Sequence, residues 1–201
     1  MRPPGAILAD IGGVLVRDQW SEFAARLVPR GSTQFESLRG KLRRRARKLD
    51  LGIETVAEFC LEIRKKAGLR QSSDELVRLA LDGSLVLIPD NVRTLTEFGA
   101  KHRIRLLAVT NVGEEISASL EKKFRLSRVF DDFARSYELG VRKPDPRIFE
   151  SAVNRAGVDP GLCLYLDDSL RYIRAARRLG IPSEWIRRPE SLKRRLERYA
   201  G

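Results

Sequence analysis

The sequence is poor in the residues that build most metal and redox sites: in 201 residues it has one histidine, His102, and two cysteines, Cys60 and Cys163. A His-based catalytic triad or a zinc site is therefore not expected, and His102, set in Lys101-His102-Arg103, reads as a surface residue. The two cysteines sit far apart in apolar surroundings and read as buried free thiols of a reducing compartment, although sequence alone leaves a disulfide open. No apolar run approaches the roughly 18 residues that span a bilayer. The stretch from Met1 to Gly13 has one Arg and no small-residue cleavage site ahead of Asp10. We expect no signal peptide, no membrane association and a cytoplasmic location. No repeat and no low-complexity linker is evident. The composition leaves the oligomeric state open.

Positive charge is abundant. The formal net charge is +12, with 39 basic and 27 acidic residues. The excess is uneven: seven basic residues and no acidic one lie between Arg39 and Lys48, and ten basic against three acidic between Arg171 and Gly201. Such a field attracts anions, whether phosphorylated metabolites or nucleic acid, and does not choose among them.

Hydrophobic patterning supplies the fold class. Ala6 to Ala9, Ile104 to Val109 and Leu162 to Leu166 are short apolar runs of the buried-strand kind. Val129 to Ala134 and Pro182 to Ile186 read as weaker strands. Between them lie helical stretches: Pro89 to Phe98, Glu114 to Phe124, Pro146 to Ala156, Ser169 to Leu179 and, last, Leu192 to Tyr199. This alternation predicts an α/β protein with a doubly wound parallel sheet. From Arg17 to Leu87 the spacing is helical throughout, on faces such as Val56, Phe59, Cys60 and Ile63, with Ser72-Ser73-Asp74 as a helix start. This block is expected as an inserted helical cap over 17–87, with the core formed by 1–16 and 88–201.

Parallel sheets bind ligands beyond the carboxyl ends of their strands. The predicted strands end in Asp10, in Thr110-Asn111 and in Asp167-Asp168, and Lys143 stands between prolines and aspartates in Arg142-Lys143-Pro144-Asp145-Pro146. Any one of these is a common cap, turn or surface residue. Together they would bring three carboxylates, a hydroxyl, an amide and an ammonium to one edge. Clustered carboxylates repel one another unless a cation binds, and oxygen-only ligands suit Mg²⁺. One carboxylate could then attack phosphorus, with Lys143 and the metal offsetting the negative charge. Thr110, and backbone N–H groups after Asp10 and around Asn111, would hold the phosphate oxygens.

These residues resemble the four motifs of the haloacid dehalogenase superfamily, in order: 6–15 around Asp10, 108–111 around Thr110, 140–149 around Lys143 and 164–169 around Asp167-Asp168. The resemblance implies a Rossmann-like core with a first-type helical cap, and Mg²⁺-dependent hydrolysis of a small phosphomonoester through an aspartyl-phosphate. It implies Asp10 as nucleophile and metal ligand, Thr110 and Asn111 on the phosphate, Lys143 as the neutralising cation, and Asp167, Asp168 and the Gly12 carbonyl on the metal.

The sequence departs from the pattern at Gly12. Phosphatases of the family usually carry a second Asp there, which protonates the leaving group. Asp18, and less so Glu114, are candidate stand-in acids. Two other readings follow: a catalytically weak binding protein for an anionic partner such as nucleic acid, using the Arg39–Lys48 segment, and a 2-haloacid dehalogenase, which the metal-type Asp167-Asp168 pair disfavours. Trp20 is expected to pack between cap and core, or to line a pocket, and Trp185 to pack at the sheet edge.

Overall fold

The apolar run Ala6–Ala9 forms strand β1, buried along its whole length. In the computed structural model, which describes residues 2–201, β1 is the middle strand of five. The others are β2 (Arg105–Thr110), β3 (Asp132–Arg135), β4 (Cys163–Asp167) and β5 (Ser183–Trp185), all parallel, in the order β3-β2-β1-β4-β5. Helices α1 (Gln19–Leu27), α2 (Thr33–Asp50), α3 (Val56–Ala67) and α4 (Ser73–Arg78) follow β1. Helix α5 (Pro89–His102) precedes β2, and α6 (Glu114–Phe124) precedes β3. Short α7 (Ser136–Leu139) and α8 (Pro146–Ala156) lead to β4, α9 (Leu170–Arg178) to β5, and α10 (Leu192–Glu197) comes last.

Both sheet faces are covered, as the continuous apolar strands require. Alternate residues Ala6, Leu8, Leu107, Val109, Cys163 and Tyr165 pack with Ile148, Phe149 and Ile173 of α8 and α9. Ile7, Ala9, Leu106, Ala108, Leu164 and Leu166 pack on the other face with Leu95, Ile116 and Leu196 of α5, α6 and α10. The register sets Ala9 opposite both Ala108 and Leu166. Asp10 therefore leaves the sheet level with Asp167. The strand order reverses direction between β1 and β4, which is where such sheets open a crevice.

The helical block begins and ends at one point. Val16 bridges to Gly12 and Leu87, Arg17 N donates to the Val86 carbonyl and Ile88 N to the Leu15 carbonyl. Within the block α3 and α4 open with capping boxes, Thr55 with Glu58 and Ser72 with Glu75. Its apolar faces join one continuous core with the sheet, since Phe23, Leu42 and Phe59 belong to the cluster that holds Ile7 and Leu166. Polar contacts fix it further. Ser136 Oγ lies 2.5 Å from the Asp50 carbonyl, Val56 N donates to Glu115 Oε2 at 2.6 Å, and Lys123 Nζ pairs with Asp82 at 2.7 Å.

Several local expectations shift. Helix α5 runs on to His102, β3 starts at Asp132 rather than Val129, and Leu79–Gly83 forms a π-helical turn after α4. Helix α7 had no counterpart in the pattern, being a single turn beneath the Asp50 carbonyl. His102 is half-buried rather than a plain surface residue, with its ring 4.6 Å from that of Phe98. Cys60 and Cys163 are free and buried, and burial pushes their thiols up to about 12 and about 11. Among the described residues no helix is long and apolar enough to cross a membrane.

The α2 terminus lies so close to the loop before α6 that a Cβ at Gly113 would meet the Leu49 carbonyl oxygen at 2.6 Å. Gly113→Ala is expected to destabilise the protein by about 1–3 kcal/mol through overpacking, read as a lower urea midpoint. An unchanged midpoint would mean that this contact does not fix the block.

Candidate active site

The carboxyl ends of β1 and β4 deliver Asp10 and Asp167, and the loop before α8 brings Lys143 up between them. Lys143 Nζ lies 2.9 Å from Asp10 Oδ2 and 2.9 Å from Asp167 Oδ2. All three side chains are buried, Lys143 with 1% of its surface exposed. Asp167 accepts from two further donors, Tyr165 OH on Oδ2 and Ser169 N on Oδ1 at 2.7 Å, which leaves Oδ1 with a free acceptor position. Tyr165 stands two residues before Asp167 on one strand and so shares its face. Asp10 Oδ1 accepts from Ile11 N at 2.8 Å.

Asp168 completes a cluster in which ligand atoms of Asp10, Asp167 and Asp168 lie within 4.8 Å of one another. Burial, then Asp167 and Asp168, push the Asp10 pKa up against the pull of Lys143. Burial, then Asp167, lift Asp168 to about 6. Burial works to lower Lys143, but the Asp10 and Asp167 carboxylates outweigh it and hold the ammonium above its ordinary value. One ammonium among three carboxylates leaves a deficit of positive charge, and the donors are all oxygen. That set fits a hard divalent cation such as Mg²⁺.

The two glycines after Asp10 differ in what they permit. Gly13 has φ +75, and a Cβ there would fall 2.3 Å from the Asp168 carboxyl carbon. Only glycine lets Asp168 lie against this turn. Gly12 has no positive φ, and a Cβ there would meet nothing within 4 Å. Neither backbone nor space demands glycine at 12.

Thr110, buried at the end of β2, and Asn111 both line the same cavity. The Asn111 side chain is turned to the neighbouring loop: Oδ1 accepts from Lys143 N at 2.7 Å, and Nδ2 donates to the Lys143 carbonyl at 3.2 Å and to Tyr172 OH at 3.3 Å. It holds the backbone that carries the ammonium.

The cavity over this edge has a volume of about 450 Å³. The helical block supplies Asp18, Trp20, Arg43 and Asp50 to its lining; the core supplies Gly12, Arg142, Arg171 and Tyr172. Asp18 Oδ2 accepts from Arg43 and, at 2.7 Å, from Ser21 Oγ. Asp50 accepts from Arg142 at 2.7 Å, yet burial lifts it to about 6. Trp20 lines the cavity and packs on Phe59, with centroids 4.8 Å apart. Glu114 is exposed at the start of α6 and does not line the cavity. Trp185 is half-buried at the edge strand, and its Nε1 donates to the Asp168 carbonyl. Tyr165, Tyr172, Asp50, Arg142 and Arg171 were not given a role in the site by sequence, and Arg43 was read only as part of the basic Arg39–Lys48 segment. Tyr165 had a signal in its period-2 relation to Asp167, and Arg142 in its place beside Lys143; Arg43 and Asp50 reach the site only through docking of α2.

Comparison with known proteins gives one family. A family model described as haloacid dehalogenase-like hydrolase matches residues 5–180. Phosphatase MT3486 of Mycobacterium tuberculosis is 29% identical over 136 residues, 66% of this chain and 62% of that protein. The chain spans less than two thirds of the length of the curated relatives it matches. A HAD family enzyme of Bacteroides thetaiotaomicron, solved with magnesium and inorganic phosphate, superposes with a TM-score of 0.69 at 24% identity, covering 90% of this chain and 93% of that one. L-2-haloacid dehalogenase of Xanthobacter autotrophicus superposes with a TM-score of 0.71 at 20% identity, over 98% and 84%.

Two outcomes follow from the electrostatics. Asp168 has a folded pKa of about 6 against 3.8 for a free Asp, so its contribution to stability is present below about 4 and is lost as pH rises through about 6. A cation that replaces the proton restores that loss. Saturating Mg²⁺ should therefore raise Tm more at pH 8 than at pH 5; an equal rise at both would contradict the cluster as a cation site. Gly13→Ala, which displaces Asp168, should weaken Mg²⁺ binding at least about tenfold by calorimetry.

Proposed function

This chain belongs to the haloacid dehalogenase-like hydrolase family, and from that membership we propose that it is a Mg²⁺-dependent phosphohydrolase that acts on a small phosphomonoester through an aspartyl-phosphate at Asp10. The observation that carries this reading is the buried Lys143 ammonium shared between Asp10 and Asp167, with Asp168 completing an oxygen donor set for a divalent ion. Asp10, Asp167 and Asp168, with the Gly12 carbonyl, would hold Mg²⁺. When bound, the ion supplies positive charge at the transferring phosphoryl group and orients it.

Asp10 Oδ1 is tied to Ile11 N and Oδ2 to Lys143, which aims the carboxylate while the ammonium offsets the charge that builds up as one anion attacks another. Thr110 would bind a phosphoryl oxygen. Asn111 acts through its grip on the Lys143 backbone. As the bond from phosphorus to the ester oxygen breaks, that oxygen needs a proton, and Gly12 has none to give. Asp18 is the candidate stand-in. It lines the cavity, but as a carboxylate already paired with Arg43. The site therefore favours esters whose leaving group departs without protonation. The helical block over 17–87 serves as the cap that closes the site. The free, buried thiols fit the reducing cytoplasm.

The missing carboxylate at position 12 also suits dehalogenation, and the structural likeness to a haloacid dehalogenase keeps that as the second reading. Chloride release from a 2-chloroacid without metal would identify it. A weak binder of nucleic acid is the third; it predicts no turnover and an affinity that falls steeply with salt.

With Mg²⁺ and an aryl phosphate, Asp10→Asn should lower kcat at least about 10³-fold, and wild-type turnover at the mutant's level would remove the phosphohydrolase reading. Gly12→Asp fits the open space at that position. It should raise turnover of an alkyl phosphate by up to about 10²–10⁴-fold, and of an aryl phosphate far less, because only the alkyl leaving group needs the proton.

A further inference from the structure

The rim of the cavity carries three arginines. Arg43 comes from α2, Arg142 from the loop beside Lys143, and Arg171 from the first turn of α9. Each guanidinium offers several N–H donors in a planar fork, a shape that matches carboxylate or phosphate. Little of that capacity is used. Arg43 commits one terminal nitrogen to Asp18 and Arg142 one to Asp50, while the Nε of Arg142 is buried with no partner. Arg171 is exposed and makes no ion pair among the described residues. The carboxylates on the same rim are already engaged by these arginines, so they are poorly placed to accept from the hydroxyls of a neutral polyol. With Asp10 and Asp168 given to the cation, three arginines face two rim carboxylates, Asp18 and Asp50, so positively charged donors are in surplus there.

We propose that Arg43, Arg142 and Arg171 form a second anion site above Asp10, so that the preferred substrate is a small phosphate ester bearing another anionic group, a carboxylate or a second phosphate. The proposal rests on the phosphohydrolase reading and names its substrate class. Size agrees: about 450 Å³ lies toward the lower end of ligand cavities. Arg43 sits on the helical block while Arg142 and Arg171 sit on the core. A second anion would therefore be gripped from both sides, with the reacting phosphate beneath it at Lys143 and Thr110.

The test compares three aryl esters of matched size, whose leaving groups depart without protonation, with Mg²⁺ present: 4-carbamoylphenyl phosphate, 4-carboxyphenyl phosphate and benzene-1,4-diyl bisphosphate. Charge-assisted pairing predicts kcat/KM at least about tenfold higher for one or both anionic esters than for the neutral one. Which of the two leads separates carboxylate from phosphate. Arg171→Ala, at an exposed position, should cut that ratio at least about threefold, and Arg43→Ala should do the same. Calorimetric binding of the same esters to Asp10→Asn protein reads the site without turnover. Tight, selective binding of an anionic ester without hydrolysis by the wild type keeps the subsite and removes the phosphohydrolase reading. Equal kcat/KM and equal affinity for neutral and anionic esters overturn the subsite, as does a preference that survives in both arginine variants.

Discussion

A buried ammonium held between two buried carboxylates is the constraint around which this fold is organised. Lys143 has 1% of its surface exposed and Asp167 none, and ions so placed are tolerated only when every partner is in position. Much of the local hydrogen bonding serves that condition. Asn111 clamps both backbone polar groups of Lys143, while Tyr165 and Ser169 N occupy the oxygens of Asp167. The Asp10 carboxylate is tied to the next amide along the chain. These contacts join the ends of β1, β2 and β4 to the loop before α8, so the site and the sheet edge are one network.

The parallel register is what lets the network close. Pairing of Ala9 with both Ala108 and Leu166 sets three strand ends at nearly the same height, and the reversal of strand order between β1 and β4 opens room above them. The turn after β1 then needs glycine at position 13, where Asp168 lies against the backbone, but not at position 12. The missing carboxylate at 12 is thus a chemical property of this chain and not a by-product of its packing.

The helical block contributes charge in pairs. Asp18 with Arg43 and Asp50 with Arg142 line the cavity, and the second pair crosses from the block to the core. Burial lifts Asp50 to about 6 in spite of its arginine, and the bridge holds the Arg142 guanidinium at the cavity wall. The basic segment of α2 is less uniform than its composition suggests. Arg39, Arg43 and Arg45 are tied to Glu36, Asp18, Glu54 and Glu62, and Arg43 turns into the cavity.

By itself the sequence determined the α/β class, the three strong strands and the residues at their ends, because strand burial, turn glycines and helix caps are written in neighbours a few positions apart. Asp10, Thr110 and the Asp167-Asp168 pair were legible for that reason, since a parallel sheet can only present the ends of its strands on one edge, and Lys143 was legible from its setting among prolines and aspartates ahead of a helix. Only the tertiary structure decided that Asn111, at the cavity wall, would spend its amide on the Lys143 backbone, that Glu114 would miss the cavity, and that Arg43 and Asp50 would line it. Those placements depend on how α2 docks against core loops far along the chain, through contacts such as Leu49 on Gly113 and Asp50 on Ser136 and Arg142. Local periodicity fixes which face of a helix is buried; it carries no information on which distant loop that face will meet.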